Sequence, residues 1–415
     1  MSADVENFLK WQGFALEDSQ LKAVSEVFAR EADLALRGEV SSLQMIDSHL
    51  ALGRAGGPLS PAPVIVVDAG GTNLRVAAVR LTEKGPVFSH MRKREMPGTH
   101  GAVSADAFHA AIAAEIDAVR ALEPQAAGVG YCFSYECKSL PDGDAELVAW
   151  SKQIEAPEVV GQKVGAELSA RLVRKPMFVR VLNDTVATLL AGKAKAGGRA
   201  YSGFLGFILG TGTNVACVED GMIRNAESGE FDKIDRSAAD LALDRMTGDP
   251  GCAVFEKMVS GAYLGNLGLC LWREAAKTGL FSAACGRRLE SRLAVETRDL
   301  DEFAACGCPD SLTGLFDDGE INAAREIARA VFARAANLTA AHLAAFLRRT
   351  ASVDSKAPVA ITVDGSTFWK IRSIPFADAV IRALRAMADI PPFEMMRIDE
   401  APMVGAAVAA CLKEG

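Results

Sequence analysis

Apolar residues recur at helical spacing through the first forty positions, with Val5, Phe8 and Leu9 followed by Leu21, Val24, Val27 and Phe28. This predicts two opening helices, the second ended by Gly38. A stretch rich in Gly and Pro covers 53–63. The pattern then changes abruptly to Val64-Ile65-Val66-Val67, a β-branched run suited to a buried strand, and that change is the first candidate domain boundary. Residues 74–81 resume as a second strand. The stretch 64–81 therefore reads as a hairpin, whose turn, Asp68-Ala69-Gly70-Gly71-Thr72-Asn73, is too polar and glycine-rich to be core. Further on, the pattern predicts a helix over 107–122, a strand over 127–133, a helix over 159–172 and a strand over 179–183 that runs through Asp184 into another helix. Alternating strands and helices predict an α/β layer.

The outline then repeats. Residues 203–209 are strand-like, Thr211-Gly212-Thr213-Asn214 is a glycine-bearing turn, and 215–219 continue as a strand. From about 235 to 350 the pattern is mainly helical, with Ala-rich amphipathic stretches such as 323–347, before a strand at 359–363 and the turn Asp364-Gly365-Ser366. No low-complexity linker separates the halves, so two lobes joined by helices and packed loops are expected.

Composition narrows the class. With 415 residues, half of them hydrophobic, and 45 basic against 53 acidic side chains for a net charge of −8, disorder, a collagen-like fibre and a small disulfide scaffold are excluded. Mild acidity argues against a nucleic-acid partner, which needs clustered cations. Asp4 and Glu6 stand where a secretory signal needs positive charge, and the 403–412 apolar tail falls far short of the roughly 20 residues that span a bilayer. Nine scattered cysteines without a CxxC pair read as free thiols in a reducing cytoplasm. None of the five histidines lies in a site motif, and Arg92-Lys93-Arg94 reads as a solvated strand end.

The two glycine turns carry the candidate chemistry. A phosphate cradle needs converging backbone N–H groups that side chains would obstruct. Gly70-Gly71-Thr72-Asn73 and Gly210-Thr211-Gly212-Thr213 both satisfy this, although neither matches the P-loop or the dinucleotide fingerprint. Either alone could be an ordinary hairpin. Two of them, one per half and each after a buried strand, favour phosphate. Asp68, at the end of its strand, could hold Mg²⁺ through water. Arg75 is either a solvated strand charge or an ion near the transferred phosphate.

These segments resemble the hexokinase family of the actin-like, sugar-kinase and heat-shock ATPase superfamily. Residues 67–76 are similar to the family's first phosphate motif, Cys132 to Cys137 to its sugar-contact loop, and Trp150-Ser151-Lys152 to the Trp-Thr-Lys that follows. Asn183 to Thr188 resembles the segment with the catalytic Asp, Gly210 to Asn214 the second phosphate motif, and Asn225-Ala226-Glu227 the sugar-gripping Asn-x-Glu. Residues 255–265, Arg334-Ala335-Ala336, Val363 to Ser366, Gly405-Ala406-Ala407 and even 41–46 have family counterparts. There are departures. Tyr135-Glu136 replaces Phe-Pro, Ser151 replaces Thr, Ser228 stands where Trp is common, Ala253 where a sugar-contacting Gln is frequent, and 401–403 lack Gly-Ser-Gly.

The resemblance implies a two-lobed actin-like ATPase fold, ribonuclease H-like, with a helix-rich large lobe. The small lobe would hold 60–185 plus 398–415 and the large lobe 1–59 plus 186–397. It implies ATP and Mg²⁺ as cofactors and glucose as the first-choice hexose, with mannose, fructose or an amino sugar as the alternative and polyphosphate as another donor. In that frame Asp184 is the base, unless it only caps its helix. Ser134, Ser151, Lys152, Asn183, Asn214, Glu227 and Glu256 hold the sugar. Asp68, Gly70, Gly71, Thr72, Asn73, Arg75, Gly210, Thr211, Gly212, Thr213, Gly365, Ser366 and Gly405 hold the nucleotide. A non-catalytic hexose sensor is the rival from another class, and it needs neither the base nor Asp68.

Overall fold

The computed structural model describes residues 2–52, 62–71, 73–150 and 154–412. Two sheets organise them. One orders Gly85–Glu95, Asn73–Thr82, Val64–Gly70, Val129–Phe133 and Val179–Leu182; its last three strands are parallel and the first two join by antiparallel pairing. The other orders Ile46–Ala51, Met222–Asn225, Thr213–Glu219, Gly203–Leu209, Val359–Asp364 and Phe393–Met396, again antiparallel on one side and parallel on the other. Both glycine turns therefore close antiparallel hairpins, Gly70 opposite Asn73 and Leu209 opposite Thr213. The first six residues of Val64–Gly70 are buried, as a strand covered on both faces requires.

Two helices lie between the sheets. Asp184–Ala196 packs on Gly203–Leu209 and Val359–Asp364, and Ala401–Cys411 packs on Val129–Phe133, Val64–Gly70 and the first helix. Val66, Cys132, Leu189, Phe204, Ala360 and Ala406 share one buried cluster that draws on both sheets. The helices cross at backbone contact. A Cβ on Gly405 would lie 1.8 Å from the Ala187 carbonyl oxygen, and one on Gly130 would lie 2.1 Å from that of Ala406.

The opening helices are Ala3–Trp11 and Asp18–Leu36, with Gly38 at φ +72° just past the second. Both pack on the long helix Ile321–Thr350, carrying Phe8 and Phe28 into the largest core. That long helix corrects the expectation that no apolar segment approaches membrane length. By length and composition it could cross a bilayer, but 83% of its most apolar window is buried inside the protein, as in a core helix.

Other expectations are corrected by local geometry. The helix expected over 159–172 is a 3₁₀ turn at Pro157–Val159 and a helix at Val164–Arg171, interrupted at Gly161 with φ +83°. Strands Ile46–Ala51 and Gly85–Glu95 and the hairpin Glu136–Ser139 with Ala145–Ala149 lack a buried apolar run, so periodicity does not announce them. Arg92 to Arg94 lie at a largely exposed strand end, as expected, and Arg92 and Arg94 there donate to Glu115. Among the described residues no disulfide links the nine cysteines.

Candidate active site

The strand Val179–Leu182 hands over to the helix Asp184–Ala196 through Asn183. Asn183 is the cap, its Oδ1 accepting the Thr185 N–H at 2.8 Å. Asp184 therefore does not cap the helix. It occupies the first helical position, where its Oδ1 accepts the Thr185 hydroxyl at 3.3 Å. What Asn183 can offer a ligand is its amide N–H₂.

Burial is the main cause that raises the Asp68, Glu227 and Asp364 carboxyls above their ordinary values, and the Asp184 charge pushes each further in the same direction. Four carboxylates at or just past four strand ends thus face one region, the arrangement that open α/β sheets use for ligands. The sequence reading placed Asp364 in a turn but did not count it as a site carboxylate. Its signal was there, because Asp364-Gly365 ends a buried strand much as Asp68-Ala69-Gly70 does.

Glu227 is built with some precision. It sits in left-handed backbone at φ +49°, and its Oε1 accepts from Asn225 Nδ2 at 2.6 Å. Asn225 Oδ1 in turn accepts from Asn214 Nδ2 at 2.7 Å, while Asn214 Oδ1 takes the N–H groups of Val215 and Ser228. Asn214, read as a sugar ligand, instead spends its side chain on orienting Glu227 through Asn225. Burial and the charges of Asp184, Glu256 and Glu136 push the Glu227 carboxyl up to about 7 against the Asn225 bond. A small pocket lies against Asn183, Asn225 and Glu227, lined also by Phe133, Tyr135 and Val186.

The second turn also differs from its expected role. Thr213 N–H donates to Glu256 Oε2 at 2.8 Å, and a Cβ on Gly212 would meet that oxygen at 2.4 Å. Gly212 and Thr213 therefore seat the Glu256 carboxylate. The Gly210 carbonyl accepts from Gly261 N–H and the Thr367 hydroxyl, which leaves the Thr211 and Gly212 N–H groups as the donors this turn can offer. Gly365, at φ +116°, presses on it, a Cβ there falling 2.2 Å from the Leu209 carbonyl oxygen, and Ser366 beside it is exposed.

At the first turn, Gly71 takes φ +57°, its carbonyl accepts the Tyr135 hydroxyl at 2.9 Å, and Asn73 starts the exposed end of the next strand. Ser134, expected at the sugar, packs by its Oγ against Gly70 and Cys132. Asp68 Oδ2 accepts from Arg75 Nε at 2.9 Å, so Arg75 is not a solvated charge. Asp68 Oδ1 faces Gly70, where a Cβ would lie 3.7 Å away. A buried carboxylate with one oxygen toward a glycine turn fits Mg²⁺, which takes one or two carboxylates and keeps its waters. Gly405, read as a nucleotide contact, lies in the helix crossing against Ala187. Thr72, Ser151 and Lys152 fall outside the described residues.

The family model described as Hexokinase matches residues 204–412, and a second of that description matches 5–194. The chain belongs to the hexokinase family. Its fold is the α/β form of hexokinases, the actin-like ATPase fold. The hexokinase from Schistosoma mansoni complexed with glucose superposes with a TM-score of 0.79 at 25% identity, over 98% of each chain. Hexokinase-1 of Spinacia oleracea is 31% identical over 277 residues, 59% of this chain and 54% of the relative. Hexokinase-3 of Homo sapiens is 27% identical over 440 residues, 96% of this chain and 46% of the relative. The chain thus spans about half the length of these two curated hexokinases.

Proposed function

We propose that this protein is an ATP-dependent hexose kinase that transfers the γ-phosphoryl group to the 6-hydroxyl of glucose. The observation that carries the reading is Asp184. It is a first-turn carboxylate relieved of capping by Asn183 and ringed by Asp68, Glu227 and Asp364. Glu227 and Glu256 accept sugar hydroxyls and Asn183 donates to one, so that the 6-hydroxyl lies by Asp184. That carboxylate takes the hydroxyl proton as the sugar oxygen bonds to the γ-phosphorus and the bond to the ADP oxygen breaks. Arg75 and the backbone N–H groups of Thr211 and Gly212 balance the phosphate charge. Magnesium, held through water by Asp68, supplies further charge neutralisation.

Residues 60–185 with 398–415 form the small lobe and 1–59 with 186–397 the large one, closing on the sugar to exclude water. The glucose complex of the Schistosoma mansoni hexokinase supports glucose as the first acceptor to test. Nine cysteines with no disulfide among the described residues favour a reducing cytoplasm.

The test follows ADP release from Mg-ATP with glucose, mannose, fructose, glucosamine or no sugar, on the wild type and on Asp184→Ala. Glucose-dependent turnover that falls at least about a hundredfold in the variant, with hexose binding retained, is the expected result. A higher kcat/KM for another hexose moves the preference to that sugar. Hexose binding without turnover sinks the kinase reading in favour of a sensor, and release from polyphosphate but not ATP replaces the donor.

A further inference from the structure

The chain reverses at Glu400, immediately before the helix Ala401–Cys411, in left-handed backbone with φ +56° and ψ +35°. Left-handed backbone is strained for any residue with a Cβ, and glycine would occupy it freely. What glycine would lack is the carboxylate. Glu400 Oε2 accepts from Arg75 Nη1. The other edge of the same guanidinium is turned to Asp68, with Nε and Nη2 donating to Oδ2 at 2.9 and 2.5 Å. Asp68 and Arg75 face each other across the first hairpin, whereas Glu400 comes from 325 residues along the chain. The guanidinium is thus clamped between two carboxylates, one at the first glycine turn and one at the start of the helix that packs beneath it.

We propose that Glu400 is a positioning residue for phosphoryl transfer, setting Arg75 so that the guanidinium shares its charge instead of closing entirely on Asp68. This rests on the reading of the first turn as the nucleotide-phosphate site. The reasoning is electrostatic. With Glu400 present, one cation is divided between two anions, and Asp68 keeps negative charge and its Oδ1 for a hydrated divalent cation. Without it, Asp68 and Arg75 form a closed neutral pair. Such a pair attracts a divalent cation less, and with it the phosphates that the cation carries. The Glu400 carboxylate is bonded to Arg75 beside the first glycine turn, so the effect belongs to the nucleotide side.

The backbone strain supplies a way to separate this role from a merely structural one. Glu400→Gly removes the strain and the carboxylate together, so stability and nucleotide handling move in opposite directions. Glu400→Gln keeps the shape and removes the charge. Glu400→Asp keeps the charge on a shorter arm. Mg-ADP and glucose are each titrated by calorimetry into the full-length wild type and the three variants, alongside thermal unfolding and the KM for Mg-ATP.

Weakening of Mg-ADP binding on the order of tenfold in Glu400→Gln and Glu400→Gly is expected, with a parallel rise in the Mg-ATP KM. Glucose binding should stay within about twofold, Glu400→Gly should melt at or above the wild-type temperature, and Glu400→Asp should recover most of the nucleotide affinity. Wild-type-like Mg-ADP binding in Glu400→Gln overturns the proposal, as does equal loss of glucose and nucleotide affinity in step with stability. A wild type that binds neither Mg-ADP nor Mg-ATP overturns the phosphate-site reading and the proposal with it, an outcome distinct from failure of the variants alone.

Discussion

Glu227 makes the protein's stability depend on pH in a direction opposite to that of a salt-bridged acid. Burial, reinforced by Asp184, Glu256 and Glu136, lifts its carboxyl from 4.5 to about 7 in the folded chain. Between those values the native state holds a proton that the unfolded chain has released, so stability is full below about pH 4.5 and declines as pH rises through 7. At about 1.4 kcal/mol for each pH unit separating the two values, the whole effect is about 3 kcal/mol, most of which disappears between about pH 5 and about pH 8. Glu227→Gln keeps an oxygen for the Asn225 bond and cannot ionise. Urea unfolding of both proteins across that range should show the variant matching the wild type within about 1 kcal/mol near pH 5 and exceeding it by about 2–3 kcal/mol near pH 8. Stability curves that run parallel with pH would refute the reasoning, and so would a gap that widens toward acid. In the ligand-bound protein the same protonation competes with the sugar, so wild-type hexose affinity should fall about tenfold for each unit below pH 7.

Three further substitutions probe the frame around the site. Gly405→Ala forces a Cβ onto the Ala187 carbonyl and should destabilise by about 1–3 kcal/mol in urea unfolding, while Gly221→Ala, a turn glycine with open space around it, serves as the control for backbone strain alone. Asp240→Asn leaves buried Arg334, which donates to both Asp240 oxygens and lies over the Phe14 ring, without its counter-charge; a loss of about 3–5 kcal/mol is expected by calorimetry. Ala253→Gly relaxes left-handed backbone at φ +47° and should gain about 1 kcal/mol in the unfolding midpoint without weakening hexose binding.

Features announced by local chemistry were legible in the sequence. Val64 to Val67 has no partner but the interior, and the structure buries it; the two glycine turns close the hairpins they were expected to close. Strands paired on an edge or exposed on both faces, such as Gly85–Glu95, left no such mark. Site residues divided similarly. Asp184 could be placed from the strand-to-helix change, but whether it or Asn183 capped the helix depended on a 2.8 Å bond that no spacing encodes. Thr213 looked like a phosphate donor because glycine turns bind anions, and the anion its N–H meets here is Glu256, brought from 43 residues away by the fold. Gly405 carries a glycine for helix crossing, a requirement the sequence cannot distinguish from a ligand contact without knowing that Ala187 lies opposite.

Three positions share a backbone feature that links strain to chemistry. Glu227, Ala253 and Glu400 each immediately precede a helical segment, and each adopts left-handed backbone where such a residue is ordinarily extended. A left-handed residue at that place turns the chain within one step. The turn at Glu227 aims a carboxylate at the site, the turn at Ala253 starts the short helix that carries Glu256, and the turn at Glu400 brings a carboxylate to Arg75. At Ala253 the backbone alone does the work, so glycine there should stabilise at no functional cost. At Glu227 and Glu400 the same relief would remove the side chain for which the turn is made. The residues that depart from the easiest backbone choice are therefore the ones whose replacement should separate stability from function, and Ala253 is the internal reference against which the other two are read.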